Sequence, residues 1–330
     1  MTAGKELAPA AAELSPNLGV MSGVLVGFSI IGFVILVGYL IERAGFAGPS
    51  AGFVLNRVAF FVAMPALMFT VLSRTDVRVL FSRFLLTTLC TVLVIAAVYL
   101  VAGRILSGRR PVADTVLGVA GASYVNANNI GLPVAIYVLG SAHFVAPVLL
   151  LQLLVFAPIV LGILDVATSG RASLRAILTQ PFRNPMILAS LSGLLVAVFR
   201  IPIPDAVYAP LEILGGAGIP MVLLAFGMSL HGERVLRPGS GRKQVALAAV
   251  LKVAVMPVVA WALGRFAFGL GPVELFAVVT VAALPTAQNV FNFAARYERG
   301  TVVARDTVLV TTIAAIPALL VIAALLAPAA

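Results

Sequence analysis

Hydrophobic residues run along this chain in blocks of about 20, the length that crosses roughly 30 Å of hydrocarbon, and polar residues gather between the blocks. Ten blocks are predicted as membrane-spanning helices: 20 to 41, 51 to 73, 84 to 106, 115 to 139, 144 to 165, 185 to 200, 206 to 230, 244 to 268, 273 to 297 and 306 to 327. The pattern is that of an all-α membrane protein. Two blocks depart from plain hydrophobicity. The fourth reads GASYVNANNIGLPVAIY from Gly121 to Tyr137, and the ninth reads ALPTAQNVFNFAARY from Ala283 to Tyr297.

Proline has no N–H to give and its ring crowds the preceding turn, so the fourth span is expected to break just before Pro133, with Gly131 relaxing the backbone there. Pro285 does the same in the ninth. Unpaired peptide groups are costly in hydrocarbon, so irregular backbone at that depth is tolerated only where it is buried in protein or lines a wet cavity. Two proline-broken, amide-rich spans in corresponding positions of two halves point to the substrate site of a secondary transporter. Each half-helix presents an N-terminus with about half a positive charge and free N–H groups, which favours a small organic anion such as a carboxylate. The candidate substrate-binding residues are Asn126, Asn128, Asn129, Pro133, Pro285, Thr286, Asn289 and Asn292. Gln288 and Asn289 are also candidate oxygen ligands for Na+ as a coupling ion; alternatively they satisfy only the broken backbone or the substrate. Amides acting merely as glue between helices would explain one asparagine but not two proline-linked clusters.

An internal repeat supports the same plan. Pro65 and Pro220 lie 155 residues apart, and Gly103-Arg104 and Gly264-Arg265 lie 161 apart. Five spans per half is an odd number, so the second half enters the membrane inverted. The halves are residues 1–168 and 185–330, joined by a basic cytoplasmic linker at 169–184.

Composition fits a membrane protein, with 62% hydrophobic and 10% charged residues against about 45–50% and 25% in soluble domains. A net charge of +10 raises the question of nucleic acid, but the basic residues lie singly or in pairs between apolar blocks, as the positive-inside rule expects. An extracytoplasmic N-terminus puts fourteen of the 22 Lys and Arg in cytoplasmic loops and six outside, so both termini are expected outside a plasma membrane, with the lipid bilayer as the partner and no nucleic acid. The first nineteen residues carry no signal-peptide pattern. Arg57 and Lys252 fall inside spans, about two turns from the predicted inner end, where a long side chain either snorkels to the cytoplasmic interface or contacts substrate.

The inventory argues against an enzyme. His143 and His231 sit in different halves without an HExxH or GxSxG arrangement, and no Walker sequence is present. Cys90 is the lone cysteine, which rules out a thiolate metal cluster. The acidic residues lie at span ends or in loops, not at the midplane, so no proton relay is evident.

At LNRVAFFVAMPALMF (Leu55 to Phe69), NANNIGLP (Asn126 to Pro133), RNPMI (Arg183 to Ile187), LKVAVMP (Leu251 to Pro257) and ALPTAQNVFNFAARY (Ala283 to Tyr297), the chain resembles the auxin efflux carrier family, which includes bacterial organic-acid permeases and is related to the bile acid:sodium symporters. The resemblance implies ten transmembrane helices as a 5+5 inverted repeat, with a scaffold from spans 1, 2, 6 and 7 and a transport domain from spans 3 to 5 and 8 to 10. It implies that the fourth and ninth spans cross at Pro133 and Pro285, that Asn126 contacts substrate, and that two copies associate through the scaffold. Gln288 and Asn289 resemble the QN pair of sodium-coupled relatives. The expected function is alternating-access transport of carboxylates such as auxin-like acids, malate or malonate. The alternatives are a sodium-coupled symporter of bile-acid-like anions and a non-transporting membrane receptor for the same ligand.

Overall fold

The structure, a computed structural model, describes residues 16–48, 50–74, 82–169, 184–231, 236 and 241–328. Most of the expected linker at 169–184, most of the first nineteen residues, and the loop residues Lys5, Arg78, Arg171, Arg175, Arg183, Arg234 and Arg237 lie outside these residues.

Among the described residues every extended regular element is a helix. In chain order they are α1 (Pro16–Arg43), α2 (Ala51–Ser73), α3 (Arg83–Ser107), α4 (Val112–Ser123), α5 (Leu132–Tyr137), α6 (Ala142–Thr168), α7 (Pro185–Phe199), α8 (Asp205–Ser229), α9 (Arg242–Ala267), α10 (Pro272–Ala283), α11 (Gln288–Arg296) and α12 (Thr301–Leu326). Six of them, α2, α3, α6, α8, α9 and α12, are long and apolar enough to cross a membrane. Shorter apolar helices are α4, α7 and α10.

Local chemistry sets several ends. Asn184 caps α7 by accepting from the Met186 N–H at 2.9 Å, with Pro185 at the first helical position, where its missing N–H costs nothing. α3 stops at Gly108, which takes φ +68°.

Three of the prolines inside the helices are accommodated by a shared device. Pro65, Pro133 and Pro257 each follow a π-helical turn by one intervening residue: Ala59–Ala63, Ala127–Gly131 and Leu251–Val255. The residue before each proline donates five positions back, Met64 to Ala59, Leu132 to Ala127 and Met256 to Leu251. An α-helix would have asked the proline for a donor it lacks and pressed its ring on a carbonyl four residues earlier. The wider turn relieves both demands.

α8 packs on α1 and α2, and α2 on α7, while α3, α4, α6 and α9 to α12 form a second mutually packed group. Hydrocarbon gives helices no hydrophobic reason to associate, so close backbone approach carries the packing. The α1–α8 contact needs glycine on both sides: a Cβ on Gly38 would lie 2.2 Å from the Leu224 carbonyl oxygen, and one on Gly227 would lie 2.0 Å from that of Ile35. At the far end of α2 a polar clasp joins it to α8. The Tyr208 hydroxyl donates to the Thr70 carbonyl at 2.7 Å, and Arg74, stacked over the Tyr208 ring at 4.0 Å, pairs with Glu212 at 2.9 Å.

Candidate functional site

The two amide-rich segments meet. Between α4 and the turn that leads into α5, Tyr124 and Val125 are extended and Asn126 makes an inverse γ-turn, closed by the Ala127 N–H on the Val125 carbonyl at 2.8 Å; Leu284 to Ala287 are extended between α10 and α11. Val125 and Thr286 face each other as an isolated antiparallel bridge. Asn126 N–H donates to the Pro285 carbonyl at 2.8 Å, and Ala287 N–H donates to that of Tyr124 at 2.9 Å. One rung of β-structure therefore joins two broken helices.

The expected crossing point needs correcting in the fourth span. Pro285 sits at the crossing, but Pro133 lies downstream of it inside α5, because the π-helical turn Ala127–Gly131 absorbs the proline without a break. The opening of the backbone comes earlier, at Tyr124.

Side chains take up most of the peptide groups freed by the breaks. Gln152 Nε2 donates to the Val125 carbonyl at 3.0 Å, and the Tyr124 hydroxyl donates to the Gln152 carbonyl at 3.3 Å. Thr286, fully buried, donates through its hydroxyl to the Gly121 carbonyl at 2.6 Å, and its N–H reaches Thr311 Oγ1 at 3.0 Å. Lys252 is also fully buried. Its Nζ donates to the Ala282 carbonyl at 2.6 Å and lies 3.3 Å from Met256 Sδ. It thus places an N–H donor on the last turn of α10, where the helix leaves carbonyl groups unpaired. Snorkelling of Lys252 to an interface is ruled out by this burial.

A cavity of about 380 Å³ opens on the crossing, lined by Tyr124 to Asn129, by Ala287, Gln288, Asn289 and Asn292, by Leu149, Gln152 and Leu153 of α6, by Met186, and by Phe53, Asn56, Arg57, Phe60 and Phe61 of α2. It lies near the lower end of the roughly 300–1,000 Å³ range of small-molecule sites. A second cavity of about 260 Å³ shares Phe53, Asn56, Asn129 and Gln288 with it and continues to Glu42, Gly52 and Ser229. The path therefore leads toward the end of the molecule where α1 ends, α2 begins and α8 ends.

Of the residues singled out from sequence, Asn126, Asn128, Asn129, Gln288, Asn289 and Asn292 share the cavity wall. Pro133, Pro285 and Thr286 do not line it; they lie buried behind it and shape the crossing. Asn126 Oδ1 caps the following turn by accepting from Asn129 N–H at 3.1 Å. Its amide nitrogen is buried without a hydrogen-bond partner, as is Asn128 Oδ1. Asn128 Nδ2 donates to Asn129 Oδ1 at 2.8 Å, and Asn129 Nδ2 to Gln288 Oε1 at 3.3 Å, so an amide chain links the two breaks. Asn289 lies beside the Tyr124 hydroxyl. α11 begins at the cavity with no side chain capping its N-terminus, and its first N–H groups are available there.

Sequence reasoning passed over Tyr124, Asn56 and Gln152. For Gln152 the signal was present, as a lone amide in an apolar span, but nothing in the order of residues placed it against Val125.

The chain also matches known proteins along most of its length. A protein from Rhizobium meliloti (strain 1021) named "Putative malonate transporter" is 27% identical over 288 residues, covering 85% of this chain and 88% of that one. Proteins named as uncharacterized transporters match from Methanothermobacter thermautotrophicus, 28% identical over 60% of this chain and 65% of that one, and from Methanocaldococcus jannaschii, 22% identical over 86% and 92%. The family described as membrane transport protein, which is auxin efflux carrier-like, matches residues 28–171 and 168–323, and this multi-pass membrane chain belongs to it.

Proposed function

We propose that the protein is a secondary carrier of small organic anions, carboxylates foremost, which moves them by alternating access around the crossing of the fourth and ninth spans. The observation that carries this reading is the Asn126 amide nitrogen, a buried donor with no partner, in a residue that lines the cavity beside the uncapped start of α11. A buried donor left unpaired costs about 1–3 kcal/mol. A carboxylate oxygen satisfies it and gains the helix-terminal field as well. The relative named for malonate transport is in keeping with a carboxylate cargo.

In the same proposal the helices form ten spans as a 5+5 inverted repeat. The packing that links α1, α2, α7 and α8 supports these four as the scaffold and the remaining helices as the moving body. With both termini outside a plasma membrane, the cavity path toward Glu42 and Ser229 leads to the cytoplasm, and this is an inward-open conformation. Sodium coupling has less support. Gln288 Oε1 is engaged by Asn129, and Lys252 already donates to the Ala282 carbonyl beside the ninth-span break.

Counterflow of labelled carboxylates in proteoliposomes tests the proposal, with Asn126→Ala as the comparison. Exchange by the wild-type chain that the substitution abolishes, with the variant still folded, is the expected result. No exchange of any carboxylate by folded wild-type protein would overturn it.

A further inference from the structure

Arg57 is the one charged side chain on the wall of the cavity at the crossing, among the described residues. It projects from α2, opposite the amide cluster, on the helical face that also carries Phe53 and Phe61 at positions i−4 and i+4. Its guanidinium lies 5.6 Å from each of those ring centroids, within cation–π reach. It forms no ion pair with any described acid; Glu42 lines the adjoining cavity, not this one. An arginine held by two rings of its own helix and left without a carboxylate is preorganised for one, since its planar fork matches a carboxylate in a bidentate way.

Across the cavity lies Asn126, a residue only 2% exposed whose amide nitrogen is buried just behind the wall without a partner, and beside it the start of α11, whose first N–H groups no side chain caps. A single carboxylate satisfies one of these two groups and leaves the other facing solvent or apolar wall. We infer that the site takes a short dicarboxylate at two points, one carboxylate on the crossing at Asn126 and the start of α11, the other on Arg57, which makes Arg57 the residue that selects two charges over one. The inference rests on the carboxylate-carrier reading of this same cavity and deepens it. It also places the two ends of the substrate on different groups of helices, since α2 packs with α7 and α8 while both breaks belong to the other group.

The test compares malonate with monomethyl malonate, which is nearly the same size but carries one charge, as counterflow substrates at a pH where both malonate carboxyls are ionised. A charge-assisted hydrogen bond is worth roughly tenfold or more in affinity, so the wild-type protein is expected to favour malonate by about that factor in half-saturation. Arg57→Gln is expected to erase the preference by weakening malonate more than the monoester. An unchanged size-exclusion profile and melting temperature report that the variant is folded. Arg57→Lys, which keeps the charge and loses the fork, is expected to retain part of the preference, and it replaces Arg57→Gln if that variant does not fold. A malonate to monoester ratio that is the same in wild type and variant, or an equal loss for both acids, overturns the role of Arg57 while leaving the carrier reading standing. Exchange of neither acid by folded wild-type protein overturns both.

Discussion

The Lys252 Nζ lies 2.6 Å from the Ala282 carbonyl oxygen, one turn before the ninth-span break, with no carboxylate beside it among the described residues. A buried amine is costly unless the groups around it are held in place to receive it. Here the receiving group is the carbonyl end of a half-helix, and the lysine takes a carbonyl that a soluble cation could otherwise use. Two outcomes are expected. Exchange of carboxylates will proceed at the same rate in choline and in sodium buffers. Lys252→Met will keep or raise thermal stability, because a desolvated polar group is removed, yet will lower flux by about tenfold or more, since about 1.4 kcal/mol of lost stabilisation at the break suffices for that factor. Parallel melting and counterflow measurements check the pair.

Asn126 has two separate duties and they can be separated by substitution. Its oxygen caps the turn at Asn129, and its nitrogen is buried without a partner. Asn126→Asp keeps the acceptor and replaces the donor with a negative charge. It keeps the cap and is expected to lose carboxylate exchange, with a lower melting temperature from a charge placed in a residue only 2% exposed. Asn126→Ala loses both duties and should be less stable as well as inactive.

Thr286 ties α4 to the ninth-span break through Gly121 and lies against α12 through Thr311. Thr286→Val keeps the shape and leaves the Gly121 carbonyl without that donor. A cost of about 1–3 kcal/mol is expected, read as a lower melting temperature, together with reduced flux, because the rung at Val125 loses its support.

Close packing of α1 on α8 predicts a sharp contrast among glycines of one helix. Gly227→Val would drive a side chain into the Ile35 carbonyl and should abolish recovery of a monodisperse protein in detergent. Gly216, also in α8, has open space where a Cβ would stand, with nothing within 4 Å. Gly216→Ala should be neutral or gain up to about 1 kcal/mol from helix propensity. Size-exclusion profiles of the two variants decide it.

Much of this site could be read from residue order, and the shortfalls have physical causes. Amides and prolines in hydrocarbon announced two breaks, and six of the nine residues they singled out share the cavity wall. Pro133 misled because a proline signals only a missing donor. Whether the chain breaks or widens by one residue depends on the neighbouring backbone, and here Leu132 reaches back to Ala127. Lys252 and Arg57 were both compatible with snorkelling, since distance from a span end does not say which way a helix face turns. Packing buries the first beneath α10 and sets the second on the cavity wall. Gln152 could be placed only by knowing that α6 lies beside the crossing.

The single rung at Val125 and Thr286 also sets an order of assembly during synthesis. Asn126 N–H and the Tyr124 carbonyl find their partners at Pro285 and Ala287, which follow them in the chain by roughly half its length. A nascent chain that has placed its first half in the bilayer therefore holds an open fourth span, and the cavity at the crossing closes only when the ninth arrives. A ribosome stalled before Pro285 would leave an inserted but unfinished protein, and quality control that senses polar backbone within the membrane would have its signal at Tyr124 to Asn126.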